Sequence, residues 1–299
     1  MTAIGEPSLS GFAILDKPEG ITSFRFLSQL SRKLGSTVKS GHAGTLDSFA
    51  TGVLVCLFGR YTRLSDYFMS AVKGYEADIL FGEETDTLDP GGTVVAMAAI
   101  PTLEALESSL ENFRGEILQS PPAYSAVHID GERASERARK GQDVEPVARP
   151  VRIDSLELLS YEEGTARIRV ACSKGTYIRS LARDIALACA SRGRLSRLRR
   201  TFSGPFTLSE AMPQEDFGPA SLKTMSLADA KGLGLEPLTL DTEDVKGFSN
   251  GLPLSRLNVS RSLSGKGPRA VFSNEGTLLG ILTLSGKEWK YAFVLGGTL

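Results

Sequence analysis

A chain of 299 residues with 41% hydrophobic residues and a net charge of −1 can bury a sizeable core, and its length points to two domains or one large domain with an appendage. No apolar run approaches the ~20 residues of a membrane-spanning helix, and the opening Met1-Thr2-Ala3-Ile4-Gly5-Glu6 lacks the basic-then-apolar order of a secretory signal. The expectation is a cytoplasmic protein with no membrane contact, with Cys56, Cys172 and Cys189 as buried free thiols; His42 and His128 offer no recognisable metal-ligand spacing.

Gly11–Leu15 reads as a short strand that stops at Asp16-Lys17-Pro18, because proline ends regular structure. Ser23–Leu34 reads as a helix on the spacing of Phe24, Leu27, Leu30 and Leu34, with Gly35 as its C-cap. A glycine-rich loop, 41–52, leads into a buried strand at Gly52–Phe58; Tyr61–Ala71 is predicted helical and Tyr75–Phe81 extended. Thr102–Phe113 is the clearest amphipathic helix, with Thr102 as N-cap and Leu103, Leu106, Leu110 and Phe113 as its stripe. Pro121–Ala126 is a loop, and Arg133–Lys140 is a short charged helix closed by Gly141. Val151–Leu159 and Thr165–Cys172 alternate like antiparallel strands, and Thr176 is placed to cap a helix from Tyr177 to about Ala190. Beyond roughly Ala228 the texture becomes glycine-rich, with strands at Arg269–Phe272, Leu278–Leu284 and Trp289–Val294: a small β-rich appended domain.

Charge is unevenly spread. Eight basic residues stand against one acid between Lys174 and Arg200, which reads either as a phosphate-facing footprint or as a solvated helix face. Neither G-x-x-x-x-G-K-[ST] nor G-x-G-x-x-G occurs, so nucleotide-driven and redox chemistry are not indicated. With two histidines a Ser-His-Asp system is a poor fit, and the chemistry falls to carboxylate, tyrosine and arginine. Asp47 lies in the glycine-rich loop just before a buried strand, where it reads as a ligand-facing carboxylate or as an Asx-turn or capping aspartate. Arg179, one turn into the helix that opens with Thr176-Tyr177, reads as a site guanidinium or as a surface arginine paired with Asp184.

Gly41-His42-Ala43-Gly44-Thr45-Leu46-Asp47 followed by Ala50-Thr51-Gly52-Val53-Leu54 resembles the catalytic motif of the TruB family of tRNA pseudouridine synthases. Four further blocks resemble that family in the same order: Leu15-Asp16-Lys17-Pro18-Glu19-Gly20; Lys73-Gly74-Tyr75-Glu76 with 82–87; 121–126 with Arg149-Pro150-Val151; and 172–181 with Leu198-Arg199-Arg200-Thr201. The resemblance implies an α+β fold. A mixed, mostly antiparallel sheet would form a catalytic domain over 1–235, and a small β-rich, PUA-like RNA-binding domain would occupy 238–299. It further implies conversion of uridine 55 in the T-loop of tRNA to pseudouridine, with the tRNA T-arm as partner, no cofactor, no metal and a monomeric enzyme. By resemblance Asp47 is the catalytic aspartate, Tyr75 stacks on the target uracil, and Arg179 pairs with Asp47. Tyr177 and Leu198 shape the pocket, Lys17 and Pro18 support it, and His42 faces the T-loop bases. The chain departs from the family at Ser48, where proline is usual, at His128, where lysine is common, and at Ser135, where tyrosine is common.

The reaction suits these residue types. It breaks the N1–C1′ bond, turns the uracil and joins C5 to C1′, with no net redox change and no added group. Paired carboxylates would suit hydrolysis by water; the motif supplies one, which can act as nucleophile or as base on the sugar if water is kept out. Two other readings stay open at this point. An RNA scaffold without chemistry would share the basic stretch, and a nucleoside hydrolase would want more carboxylates or a metal site.

Overall fold

The computed structural model describes residues 9–295 except Ser36, Ala126, Asp130, Asp143, Glu145 and Ser262. The chain opens on β1 (Gly11–Lys17) and α1 (Ser23–Leu34), and after β2 (Ser40–His42) it returns along β1 as β3 (Thr51–Phe58). A 3-10 turn at Gly59–Leu64 and α2 (Ser65–Ser70) lead to β4 (Lys73–Phe81), where a single helix over Tyr61–Ala71 is expected from sequence. The hairpin β5 (Glu83–Thr85) and β6 (Val94–Met97) is followed by α3 (Leu103–Leu110) and β7 (Gly115–Gln119). A small excursion, β8 (His128–Ile129), β9 (Glu132–Arg133) and α4 (Ala134–Arg139), precedes the long hairpin β10 (Arg149–Glu162) and β11 (Thr165–Cys172). Then come α5 (Ile178–Ala188), β12 (Gly193–Ser203), β13 (Phe206–Thr207) and α6 (Leu227–Gly232). The last part is β14 (Glu236–Thr239), α7 (Thr242–Ser249), β15 (Arg269–Phe272), β16 (Leu278–Ser285) and β17 (Glu288–Val294).

The main sheet runs β1–β3–β12–β4–β11–β10–β7, with β2 also on β3 and β13 on β12. Every pairing in it is antiparallel except that of β12 with β3, so the expected mixed, mostly antiparallel α+β sheet is what forms. β3 explains the unbroken apolar run at 53–58: Leu54, Cys56 and Phe58 join one core, while Val53, Val55 and Leu57 join a second one behind the sheet. A strand covered on both faces has no polar side to alternate with. That second core also takes Ala270, Phe272, Ile281 and Phe293, so the small sheet β14–β15–β16–β17 packs on the back of the main one. One edge of β3 pairs with β12 only at Thr51 and Gly52, and with β2 only at Cys56–Phe58. The glycine-rich loop emerges where those two neighbours diverge.

Three local expectations are corrected. Phe24 is 77% exposed, and the buried side of α1 is Phe26, Leu27, Leu30 and Leu34; on a 3.6-residue turn Phe24 lies well off the centre of that stripe. Thr176 does not cap α5, whose N-cap position is Tyr177; its hydroxyl donates to Ser173 O at 3.0 Å instead. In the C-terminal part, α7 and the parallel strand β14 join the three expected strands. Cys56 and Cys172 are buried and Cys189 is half-buried, all free thiols. Burial pushes the Cys172 thiol up to about 11.

Candidate active site

Asp47 sits in a loop whose carbonyls are tied down one after another. Arg200 Nη1 donates to Gly44 O at 3.2 Å and its Nη2 to Thr45 O at 2.9 Å. Ser23 Oγ donates to Leu46 O at 2.9 Å and accepts from Leu46 N at 2.8 Å. Ala50 N donates to Asp47 O at 3.2 Å, and Ser48 O accepts from Gly20 N at 2.8 Å and from Lys17 Nζ at 3.4 Å. The serine at 48 therefore still gives an anchored loop, since the fixed atom is its carbonyl oxygen, which a proline would present equally. Ser23→Ala would strand both the N–H and the C=O of Leu46 in a buried place. The expected cost is about 2 kcal/mol of stability, read by denaturant unfolding; an unchanged midpoint would show that the clamp contributes nothing.

The carboxylate of Asp47 meets the guanidinium of Arg179 in a two-pronged pair, Nε to Oδ2 at 2.9 Å and Nη2 to Oδ1 at 3.1 Å. Arg179 is 5% exposed and Asp47 is 34% exposed, so the pair presents its acidic end to solvent. The arginine is itself held, by Thr87 O at 2.8 Å and Tyr124 O at 3.0 Å, with Asp89 Oδ2 at 3.8 Å. Planar, bidentate pairing fixes direction as well as distance. It replaces the reading of Arg179 as a surface partner of Asp184: Arg179 pairs with Asp47, and Asp184 is taken by Arg183 at 2.8 Å.

This pair lies on the wall of a cleft of about 990 Å³, with Tyr75, Tyr177, Leu198 and Arg200 around it. Tyr75 and Leu198 are nearly buried and give the wall its apolar part. The Arg149 guanidinium stands 5.3 Å from the Tyr177 ring centroid and donates to Gly175 O at 3.0 Å, fixing that ring from one side. Of the expected site residues, Asp47, Tyr75, Tyr177, Arg179 and Leu198 thus converge. His42 does not line the cleft: it is a β2 residue paired with Cys56, and its Nδ1 has no hydrogen-bond partner among the described residues. Burial and then Arg200 hold its pKa below the ordinary 6.5, favouring the neutral ring. Lys17 does not reach the cleft either. It is fully buried and works from beneath, with Nζ donating to Pro18 O and Ile21 O at 2.8 Å each as well as to Ser48 O.

The Arg-rich stretch is the largest correction. Arg183, Arg192, Arg194 and Arg199 are paired with Asp184, Glu84, Glu83 and Asp16, Arg179 with Asp47, and Arg200 is consumed by backbone carbonyls and Tyr75. Only Lys174 and Arg197 of the eight are exposed with no partner among the described residues. Arg194, Arg199 and Arg200 ride on β12, a central strand, and their charge is spent on carboxylates and carbonyls of the protein itself. Sequence reasoning also missed Ser23, Lys73 and Arg200 as site residues. The signal was present in the motif blocks for Lys73 and Arg200, but counting charge assigned Arg200 to the surface.

Lys73, 5% exposed, lines the cleft and donates to Met69 O and Ala71 O at 2.6 Å each. Burial lowers both Lys17 and Lys73 to about 8 from 10.5. A lysine whose pKa falls on folding opposes folding while charged; that cost is present in full below pH ~8 and is relieved as pH rises from there towards ~10.5, where the unfolded chain holds the proton the folded one has released. The stability of wild type relative to Lys73→Met is therefore expected to increase between pH 7 and 9.5. Denaturant unfolding at three pH values checks it, and a difference flat with pH would contradict it.

In fold, a chain of the crystallised Cbf5-Nop10-Gar1 complex superposes with a TM-score of 0.69 over 95% of this chain and 82% of that one, at 22% identity. A chain of the archaeal box H/ACA sRNP Nop10-Cbf5 complex gives 0.68 over 95% and 86%, at 21% identity. The chain thus shares its fold with those two proteins. In sequence, residues 32–178 match the family described as TruB family pseudouridylate synthase (N terminal domain). The tRNA pseudouridine synthase B of Borreliella burgdorferi is 43% identical over 246 residues, 81% of this chain and 86% of that one. The tRNA pseudouridine synthase B of Corynebacterium efficiens is 40% identical over 291 residues, 95% and 96% of the two chains. The chain belongs to the TruB family.

Proposed function

We propose that this protein isomerises uridine 55 in the T-loop of tRNA to pseudouridine, with Asp47 as the carboxylate that acts on the nucleotide's sugar. The observation that carries this reading is the Asp47–Arg179 pair, facing a cleft walled by Tyr75 and Leu198. Arg179 occupies one lone pair on each carboxylate oxygen and leaves the others facing the cleft. From there a single carboxylate serves either as nucleophile at C1′ or as base on the sugar. In both cases the N1–C1′ bond breaks, the C5–C1′ bond forms, N1 gains a proton and C5 loses one. Atoms and electrons balance without an added group, so the isomerisation calls for no cofactor or metal.

A uridine folded into a T-loop is stacked and hydrogen-bonded, and drawing it out costs a few kcal/mol. Stacking on Tyr75 would return about 1–3 kcal/mol, and the nearly dry wall would keep water from the opened sugar. The T-arm would reach the cleft past Arg139 and Lys174, which line it and are exposed. The small sheet, whose first strand begins at Glu236, would be the framework of a PUA-like RNA-binding domain over 238–299 behind a catalytic domain over 1–235. A single chain then suffices, working in the cytoplasm where tRNA is processed. Arg139→Ala and Lys174→Ala are each expected to weaken tRNA binding for all sequences alike and to flatten its salt dependence by about one unit of slope; slopes equal to wild type would remove these residues from the phosphate path.

The deciding experiment incubates the protein with unmodified tRNA transcript carrying tritium at uracil C5. Tritium release with pseudouridine at position 55, absent from a transcript with cytidine there, is the expected result. Free uracil would mean a hydrolase instead, and tight binding with neither product would mean a scaffold.

A further inference from the structure

Gln119, the last residue of β7, is 1% exposed. Its Oε1 accepts the backbone N–H of Tyr177 at 2.8 Å. The accepting atom must be the amide oxygen, because the amide nitrogen would offer that N–H only another donor. Tyr177 is the N-cap position of α5, and its own side chain makes no capping bond. In a capping box the residue at the third helical position reaches back to the N–H of the N-cap. Here that residue is Ser180, whose hydroxyl donates instead to Ser120 O at 2.8 Å. Gln119 thus supplies from a neighbouring strand the acceptor that the helix does not supply for itself.

The same rung of the β7–β10 pair holds this turn a second time. Gln119 is in register with Arg149, whose guanidinium donates to Gly175 O and stands over the Tyr177 ring. Just beyond, Ser120 O also accepts from Arg183 Nη2 at 3.1 Å, and Tyr124 O accepts from Arg179 Nη2 at 3.0 Å. What the turn carries is the site: Tyr177 lines the cleft, and Arg179, two residues on, pairs with Asp47. The Nε2 of Gln119 is buried with no partner among the described residues. A buried donor left so costs at least as much as the satisfied acceptor gives back. The side chain therefore contributes direction to α5 more than net stability.

We propose that Gln119 is a positioning residue of the isomerisation: its amide oxygen fixes the N–H of Tyr177, and with it the first turn of α5, so that Tyr177 meets the extruded nucleotide and Arg179 meets Asp47 in one arrangement. The inference rests on the functional reading above. Gln119 does not itself line the cleft and acts only through the turn it holds. A misplacement of about 1 Å around the reacting atoms costs on the order of 100-fold in rate. Binding of tRNA draws on a much larger surface, so the direction of this turn registers in the chemical step and not in affinity.

Single-turnover pseudouridine formation on tRNA transcript, tRNA binding and thermal unfolding are measured for wild type, Gln119→Met and Gln119→Glu. Methionine has nearly the length of glutamine and removes the acceptor and the unpaired donor together, so its unfolding temperature should stay within about 5 °C of wild type. Its rate at saturating enzyme is expected to fall about 30-fold, with the dissociation constant for tRNA within about threefold of wild type. Glutamate keeps an acceptor oxygen in the same place whether ionised or protonated, and should retain a rate within about threefold of wild type. A methionine variant as fast as wild type per folded molecule, or a glutamate variant as slow as the methionine one, would overturn the proposal. If either variant fails to fold, Tyr177 is replaced by its α-hydroxy acid, which turns the peptide bond before it into an ester. That change deletes the N–H that Gln119 holds and leaves both side chains in place; the same fall in rate is expected, and an unchanged rate overturns the proposal. A wild-type protein that makes no pseudouridine defeats the functional reading instead, so the two failures are distinguishable.

Discussion

Asp47→Asn is expected to lower pseudouridine formation by at least about ten-thousand-fold while tRNA binding stays within a few-fold of wild type. An amide is neither a nucleophile towards C1′ nor a useful base, yet it has nearly the shape of the carboxylate. It also keeps one acceptor for Arg179, and because the acidic end is 34% exposed, water can take up the donor that the amide nitrogen cannot satisfy. The stability loss should therefore be about 1–2 kcal/mol, and the folded fraction should account for none of the lost activity. Quantifying pseudouridine under single-turnover conditions alongside filter binding separates the two effects. Appreciable residual turnover by the Asn variant would mean that chemistry runs through another group.

Gly52→Ala carries the largest expected effect on the fold. Gly52 has φ +104°, a conformation that side-chain-bearing L residues rarely adopt, and a Cβ there would stand 2.2 Å from Arg200 O and 2.8 Å from Arg200 N. Both obstacles are backbone atoms of a central strand, so neither yields by a rotamer change. To make room, β12 would have to move away from β3, taking the Arg200 guanidinium off Gly44 and Thr45 and loosening the loop that carries Asp47. A stability loss of about 3–5 kcal/mol is expected, with activity lost even in the fraction that remains folded. Thermal unfolding and circular dichroism test the first part, and turnover per folded molecule tests the second. A variant as stable as wild type would show that the two strands can separate at low cost.

Where local periodicity matched the packing, the elements were legible in sequence. β3, β4, α1, α3 and the β10–β11 hairpin fall where apolar spacing and turn residues put them, within a few residues. The misses have specific causes. Phe24 satisfied the spacing of an apolar stripe but belongs to the outer side of α1, since Phe26 and Leu27 set the side that meets the sheet. The short helix α7 buries only Val245 and Phe248 as apolar residues, too few to register as a period. Of the site, Asp47, Tyr75, Tyr177, Arg179 and Leu198 were named from motif blocks and line one cleft; Lys17, expected as a support, holds carbonyls from beneath it, and His42, expected to face the T-loop bases, lies outside the cleft.

Pattern by itself marked individual helices and strands and an appended β-rich segment, and the ordered motif blocks, through the family resemblance they carry, gave the α+β fold and marked one aspartate, one tyrosine and one arginine. Only the tertiary structure showed that four arginines of the 174–200 stretch are taken up in ion pairs with Asp184, Glu84, Glu83 and Asp16, that Arg200 is a buried anchor, and that Lys174 and Arg197 remain exposed. The physical reason is distance along the chain. Asp47 meets Arg179 across 132 positions and Tyr75 meets Arg200 across 125, and such meetings are set by which strands become neighbours. Strand order is a property of how whole faces bury together, and no short window of sequence contains it.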